Sequence, residues 1–402
     1  MKAIPAFQRF PRRPLAEGVR VAIESQLPLN GLQVIKLGAM ITAPLATSIL
    51  AEVIKVERPE GDPFQAFTGG TYAAHFRAHN KGKASVTLDL SVEPGRAELA
   101  RLLATAGALL ENFRPGVLDR LGFPEDRIAR DFPDLVYCSI TGFGAGGPYL
   151  TRPAYDTVAL ALSGIAHLKV DPAEPGLSGP TLSDNVTGMF AAHGILAALL
   201  GRERGRAARR VEVNMLEASI AFTPDSFAMD DEGYEVDRLT RARASQNYAL
   251  TTADRKVLMI HLSSAVKFWH ALLKAVDDAS LSADPRFATR QDRYENYVPL
   301  QTALAGIFRN RTLEAWRLRL TDNDVPVSPA LAIAEVPLNE QVRHLGTLGE
   351  IAALDGRACR VINSPSRLDG IRPPVRRAPP LLGEDNDIVT GASETGRRGS
   401  KG

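Results

Sequence analysis

The stretch LQVIKLGAMITAPLATSILAEVIKVE (residues 32–57) decides the fold class of this chain. LQVIKL (32–37) is a compact apolar run of strand length, PLATSIL (44–50) a short helix, and VIKVE (53–57) a second strand. Strand, helix and strand here open an alternation that runs for about 110 residues. The alternation continues outward, with a polar loop, a third strand SVTLDL (85–90) and the helix PGRAELARLLATA (94–106). Two further strands follow, ALLENF (108–113) and DLVYCSI (134–140), with helix near 115–130 between them. RRVEVNML (209–216) adds another strand. This pattern predicts an α/β fold, a parallel sheet with helices on its faces.

Length and composition bound the rest. At 402 residues the chain exceeds one ordinary core. From about 226 the texture changes to short polar segments, a strand pair (YALTT, KVLMIHL) near 247–262 and helices at 265–277 and 297–308. The predicted layout is an N-terminal extension (1–28), a large domain (29–225), a small domain (226–330), a segment returning to the large domain (331–390) and a disordered tail (391–402). GRACRVI, in the returning segment, is expected to join the large sheet. A net charge of +2 leaves no footprint for nucleic acid. Two distant cysteines, Cys138 and Cys359, point to a reducing compartment and against a structural metal. The longest apolar run, near 189–200, is too short to span a bilayer. Residues 1–28 carry glutamates and no apolar core of a signal peptide. A soluble cytoplasmic protein is expected.

Chemistry concentrates in Ser183-Asp184-Asn185-Val186-Thr187-Gly188-Met189. Asp184 follows the loop EPGLSGPTL (174–182) and precedes the apolar helix MFAAHGILAALLG, near the positive end of the helix dipole. An ionised, ordered carboxylate is what a nucleophile needs. An aspartate there is also a common N-cap. The helix at 189–201 is apolar nearly all round and is expected to be buried, with His193 packed inside and His167 in a loop or strand. Gly142-Phe143-Gly144-Ala145-Gly146-Gly147 matches the dinucleotide pattern G-x-G-x-x-G. Pro148-Tyr149 and a polar run follow it instead of a helix, and the first βα turn has one glycine, so a glycine-rich turn is the better reading.

Taken together, these segments resemble the family III CoA-transferases, which include formyl-CoA and carnitine-CoA transferases and the α-methylacyl-CoA racemases. The resemblance runs from Leu29 to Asn386. It is carried by PLNGLQVIKLGAMITAP (28–44), VIKVERPEGDP (53–63), NKGKASVTLDL (80–90), ENFRPGVLDRLG (111–122), SITGFGAGGPY (139–149), RPAYD (152–156), LSDNVTGMF (182–190), VEVNMLEA (211–218), HLSSAVKFW (261–269), DPRFAT (284–289) and APPLLGEDN (378–386). It implies a large Rossmann-like domain built from both chain ends, a smaller inserted domain, and two ring-shaped subunits interlocked as a homodimer. It implies CoA transfer between an acyl-CoA thioester and a free acid, with Asp184 as the covalent nucleophile. Coenzyme A is then a substrate, with no permanently bound cofactor and no metal.

The CoA contacts implied are Met40, Ile41, Arg58, Leu88, Asn112, Phe113, Arg120, Leu121 and Tyr155. Arginines at 58 and 120 suit phosphates. The racemase branch places a proton-shuttling His where this chain has Tyr155. A racemase, and a CoA-binding homologue without turnover, are the alternatives. Several positions depart from the family pattern. The glycine-bearing stop after the first helix is absent at Ile49-Leu50, and Lys36 stands where the first strand commonly ends in Asp. The hairpin Asp254-Arg255-Lys256 lacks its glycine, and no glycine-rich lid loop is found. Arg241, Arg243 and Gln246 are candidates for a second substrate carboxylate, or a solvated face.

Overall fold

The computed structural model describes residues 29–50, 52–65, 73–206, 208–352, 358–375 and 377–390. The expected N-terminal extension and tail lie outside them, as does Ala51. Six parallel strands form the main sheet: β1 (Gln33–Lys36), β2 (Glu52–Glu57), β3 (Lys83–Thr87), β4 (Ala108–Glu111), β5 (Val136–Thr141) and β6 (Arg210–Asn214). Their order is β3-β2-β1-β4-β5-β6. That is the doubly wound arrangement, in which the strand order reverses between β1 and β4 and opens a crevice at their carboxyl ends.

Both faces of the sheet are covered, which is why its strands read as nearly continuous apolar runs. On one face Val34, Ala108, Val136 and Cys138 meet α1 (Thr42–Ile49) and a long helix at Leu182–Glu203. On the other, Ile35, Ile54, Val86 and Leu109 meet Leu99, Leu102 and Leu103 of the helix Glu93–Leu103. In chain order the helices up to residue 221 are α1, α2 (Ala74–Asn80), α3 (Glu93–Leu103), α4 (Val117–Arg120), α5 (Glu125–Asp131), α6 (Asp156–Leu162), α7 (Leu182–Glu203) and α8 (Met215–Ala221). Gly188 lets α7 approach α1, since a Cβ there would lie 2.8 Å from the Thr42 carbonyl oxygen.

The chain divides into two compact units, Met1–Asp156 with Thr181–Ala218 and Leu345–Gly402, and Thr157–Pro180 with Ser219–His344. The second unit is wider than the 226–330 expected from texture. Its three-stranded antiparallel sheet, β7 (Asn247–Thr251), β8 (Val257–His261) and β9 (Val327–Pro329), packs against a core of Trp269, Leu272, Leu300, Leu304, Phe308 and Trp316. The β7–β8 loop closes without glycine because Arg255 itself takes the left-handed conformation at φ 60.

The C-terminal segment corrects an expectation. Ala358–Ile362 (β11) does not join the main sheet. It pairs antiparallel with β10 (Leu348–Ala352), a local partner the sequence reading had not recognised. The first unit is instead closed by the turn 383–386. There Asp385 and Asn386 side chains accept the Ser85 and Thr87 backbone N–H groups, while the Asp385 N–H donates to the Ser85 carbonyl. This segment covers the exposed edge of β3.

Helix α7 also differs from expectation. Its first turn begins at Leu182, because the Asn185 and Thr187 side chains donate to the local Thr181 and Ser183 carbonyls and the Ser183 hydroxyl to the distant Met215 carbonyl, rather than being excluded as polar. Met189, Phe190, His193 and Leu200 are exposed, with Met189 at 60% and Leu200 at 52%. His193 is therefore not a packed core histidine; His167 lies in a loop, its Nε2 3.2 Å from the Val236 carbonyl oxygen.

Candidate active site

The turn after β1 lies at the reversal point of the sheet. Gly38 has φ +90, and a Cβ on it would lie 1.9 Å from the Asn112 Oδ1. Asn112 follows β4. Its side chain accepts the Ala39 N–H (3.1 Å) and donates to the Ala39 carbonyl (2.9 Å) and the Thr42 hydroxyl (3.1 Å). The turns after β1 and β4 are thereby locked together, and Asn112's amide is spent on framing the crevice. Met40 follows with φ 71, a strained conformation for a non-glycine residue at the mouth of the site. Beside it Glu111 accepts the Phe113 N–H at 2.7 Å and the Tyr137 hydroxyl at 3.2 Å, and burial pushes its carboxyl up to about 7.

Two cavities open here. The larger, about 820 Å³, is lined by Leu37–Met40, Lys55–Pro63, Leu88–Ser91, Asn112–Arg114, Val117, Leu121 and Tyr155. The smaller, about 240 Å³, shares Met40, Asn112, Phe113, Arg114 and Tyr155 with it and adds Ile41, Arg152, Met215 and Asp184. Of the ten residues singled out from sequence, nine line one cavity or both, and Arg120 lines neither. Arg58 keeps its place despite the missing glycine stop. Leu50 turns extended at ψ −174, and β2 runs in full register with β1. Its guanidinium donates to the Gly61 carbonyl and is otherwise exposed.

Asp184 is not an N-cap. Thr181 holds that position without a side-chain hydrogen bond, and Asp184 is the third residue of α7. Its carboxylate is half-buried. Burial, and then the charge of Asp156, push its carboxyl up to about 6. The sequence reading expected the helix dipole to keep it firmly ionised; desolvation and a like charge outweigh that here. It remains mostly ionised at neutral pH and is a more basic carboxylate than an ordinary one. Ser183 and Thr187, on either side, are fully buried, and the Thr187 hydroxyl donates to the Ser183 carbonyl at 2.7 Å.

Three charged groups about Asp184 were missed. Arg114 lines both cavities and follows Asn112-Phe113 directly, so the motif ENFRPG already held it. Arg152 lies 3.8 Å from the Tyr149 ring centroid, and neither arginine has an ion pair among the described residues. Asp156 is the third. The glycine turn 142–147 opens no helix, and Gly142 instead packs on Ala154, so the dinucleotide reading stays excluded.

The CoA-transferase family III model matches residues 29–386. The chain belongs to that family. It is 34% identical over 319 residues to the acetyl-CoA:oxalate CoA-transferase of Acetobacter aceti, covering 77% of this chain and 82% of that protein. It is 29% identical over 376 residues to the succinyl-CoA:glutarate CoA-transferase of Mus musculus, covering 90% and 85%. A CAIB/BAIF family protein from Brucella suis superimposes with a TM-score of 0.79 at 28% identity, over 91% of this chain and 99% of that one. This family III member is a CoA-transferase, moving CoA between an acyl-CoA thioester and a free carboxylic acid. No helix among the described residues is long and apolar enough to cross a membrane. Among the second-carboxylate candidates, Gln246 is buried and its amide is bonded to Tyr248, Arg243 and Arg293. Arg243 pairs with Asp237 and Arg241 with Asp225.

Proposed function

We propose that Asp184 carries the transferred groups covalently. Its carboxylate attacks the donor thioester carbonyl, the C–S bond breaks, and CoA thiolate leaves behind a mixed anhydride. The thiolate then attacks the Asp184 carbonyl, releasing the donor acid and leaving an aspartyl-CoA thioester. The acceptor carboxylate displaces the thiolate to form a second anhydride. Thiolate attack on the acceptor's carbonyl yields the new acyl-CoA and frees Asp184. A carboxylate nucleophile suits this because each intermediate stays activated. The observation carrying the reading is Asp184 in a cavity that shares five wall residues with the switch-point crevice. In that crevice Arg58 would face the phosphates, Leu88 and Phe113 the adenine, and Met40, Leu121 and Tyr155 the remainder of CoA, with Ile41 beside Asp184 in the smaller cavity; Arg120 would act only from the rim. Hydroxylamine added during turnover should convert Asp184 to a hydroxamate, detected by peptide mass spectrometry. An unmodified peptide from active enzyme would refute the covalent route.

A racemase in this fold would need a base at the α-carbon, and the relevant position holds Tyr155, an exposed phenol, in place of a histidine. Wild-type enzyme incubated in deuterated solvent with a 2-methylacyl-CoA should leave the α-proton in place. Deuterium incorporated there, and lost on Tyr155→Phe, would overturn the transferase assignment of Tyr155.

The interlocked homodimer belongs to the same reading, in a reducing cytoplasm that suits free buried Cys138 and Cys359. It is supported by apolar side chains left in solvent on α7, and by the helix Pro224–Asp231, none of whose residues is buried. Sedimentation at nanomolar concentration should give a dimer, since linked rings part only by unfolding. A folded 43.4 kDa species would refute it.

A further inference from the structure

Helix α7 runs for 22 residues, yet its N-cap Thr181 supplies no side-chain hydrogen bond to the first turn. Such a vacancy leaves backbone N–H groups without the usual acceptor. The acceptor comes from 28 positions away. Asp156 Oδ1 receives the backbone N–H of Asp184 itself, at 3.2 Å. The residue proposed to do the chemistry is thus held through its own main chain by a second carboxylate.

We propose that Asp156 is a positioning residue for CoA transfer: it caps the first turn of α7 through Asp184 and sets a negative charge beside the nucleophile. This rests on Asp184 being the nucleophile. Two consequences follow from one contact. The cap fixes where the Asp184 carboxylate projects into the small cavity. The charge disfavours a second anion nearby, so Asp184 holds its proton more tightly and, once ionised, is a stronger nucleophile. The direction matches the upward shift of the Asp184 carboxyl, caused by burial and then by Asp156. The other charged groups about the site are Arg114 after β4 and Arg152 in the 142–155 loop, both of opposite sign. Glu217 at the start of α8 is tied to the Asn214 amide, and α1 carries no charged residue. Asp156 is therefore the group whose removal should be felt as a loss of negative charge.

The substitutions separate the two roles. Asp156→Asn keeps an oxygen that can accept the Asp184 N–H but removes the charge. The acid limb of kcat/KM, near pH 6 in the wild type, should move about one unit lower, and the thermal midpoint at neutral pH should not fall. Asp156→Ala removes both, so the same acid-limb shift should come with a lower midpoint and lower plateau rate. If the alanine variant fails to fold, the asparagine variant alone decides. An acid limb that stays put in Asp156→Asn, while hydroxylamine still traps Asp184, would overturn the role of Asp156 and leave the nucleophile standing. Failure to trap Asp184 in active wild-type enzyme would instead bring down the reading beneath it.

Discussion

Asp184→Ala and Asp184→Asn are each expected to lower CoA transfer at least about 10³-fold, the scale on which losing a covalent nucleophile is felt. The loss should fall on kcat while acyl-CoA affinity is kept, because Arg58, Leu88, Phe113 and Leu121 line the larger cavity and Asp184 only the smaller. Either variant retaining more than a few per cent of the wild-type rate would remove Asp184 from the mechanism. Folding should respond in the opposite sense. A carboxyl whose folded pKa is raised, here to about 6, costs stability as pH rises from its unfolded value near 4 up to that point, and the full cost persists above it. Asp184→Asn has no such cost. It should be more stable than wild type at pH 7–8 by about 1–2 kcal/mol once partial exposure is allowed for, and so unfold at a higher temperature, and the advantage should vanish below about pH 4. An inactive but stabilised variant is the behaviour of a functional group held against its own preference.

Much of this was legible in the sequence, for identifiable reasons. The strands of a sheet buried on both faces must be apolar throughout, so LQVIKL and DLVYCSI announce themselves. Gly188 was legible as part of Thr187-Gly188-Met189, although its reason, the approach of α1, needs three dimensions. Helix α7 was misread where periodicity gives way to tertiary contacts. Its polar first turn is stabilised by bonds such as Thr187 to Ser183, invisible to a hydropathy pattern, so the start was placed near 189. Its all-round apolar character was taken as burial, whereas Met189, Phe190 and Leu200 face outward. Asp156 could not be seen to touch Asp184, because nothing in a separation of 28 residues marks a contact. Ala358–Ile362 was assigned to the large sheet because its hairpin partner, TLGEIA, is short and carries a glycine.

Lys36 was noticed only as a departure from the family pattern, and it leads to the largest expected effect on stability. It sits beside Lys55 in the β1–β2 register, and Lys36, Lys55 and Lys83 are all buried. Two carboxylates answer three lysines. Lys55 Nζ lies 2.6 Å from Glu57 and 2.8 Å from Asp62, and Lys83 donates to the Pro44 and His79 carbonyls at 2.7 Å. The Lys36 ammonium position has no hydrogen-bond partner among the described residues, and burial, then the Lys55 charge, drive its pKa well below the usual lysine range. Asp62 is the opposite case. Burial alone would push its carboxyl up, but Lys55 and Lys36 together with hydrogen bonds from Lys55 and the Phe64 N–H hold it below the usual range. Asp62→Ala should therefore destabilise the fold by about 3–5 kcal/mol, the cost of leaving a buried lysine charge uncompensated. It should also weaken CoA binding, because Lys55, Glu57 and Asp62 wall the larger cavity beneath the Arg58 turn. Lys36→Met, replacing an orphaned amine with a side chain of similar shape, should be neutral or stabilising. The pH dependence separates the two. A lysine with a lowered folded pKa binds more protons when unfolded, so wild-type stability should climb with pH toward the ordinary lysine value near 10.4. Lys36→Met should flatten that climb, leaving the share due to Lys83. Denaturant unfolding at pH 6 and pH 9 reads both effects. A cost below about 1 kcal/mol for Asp62→Ala, well under that of an uncompensated buried charge, would show that the cluster tolerates the missing carboxylate.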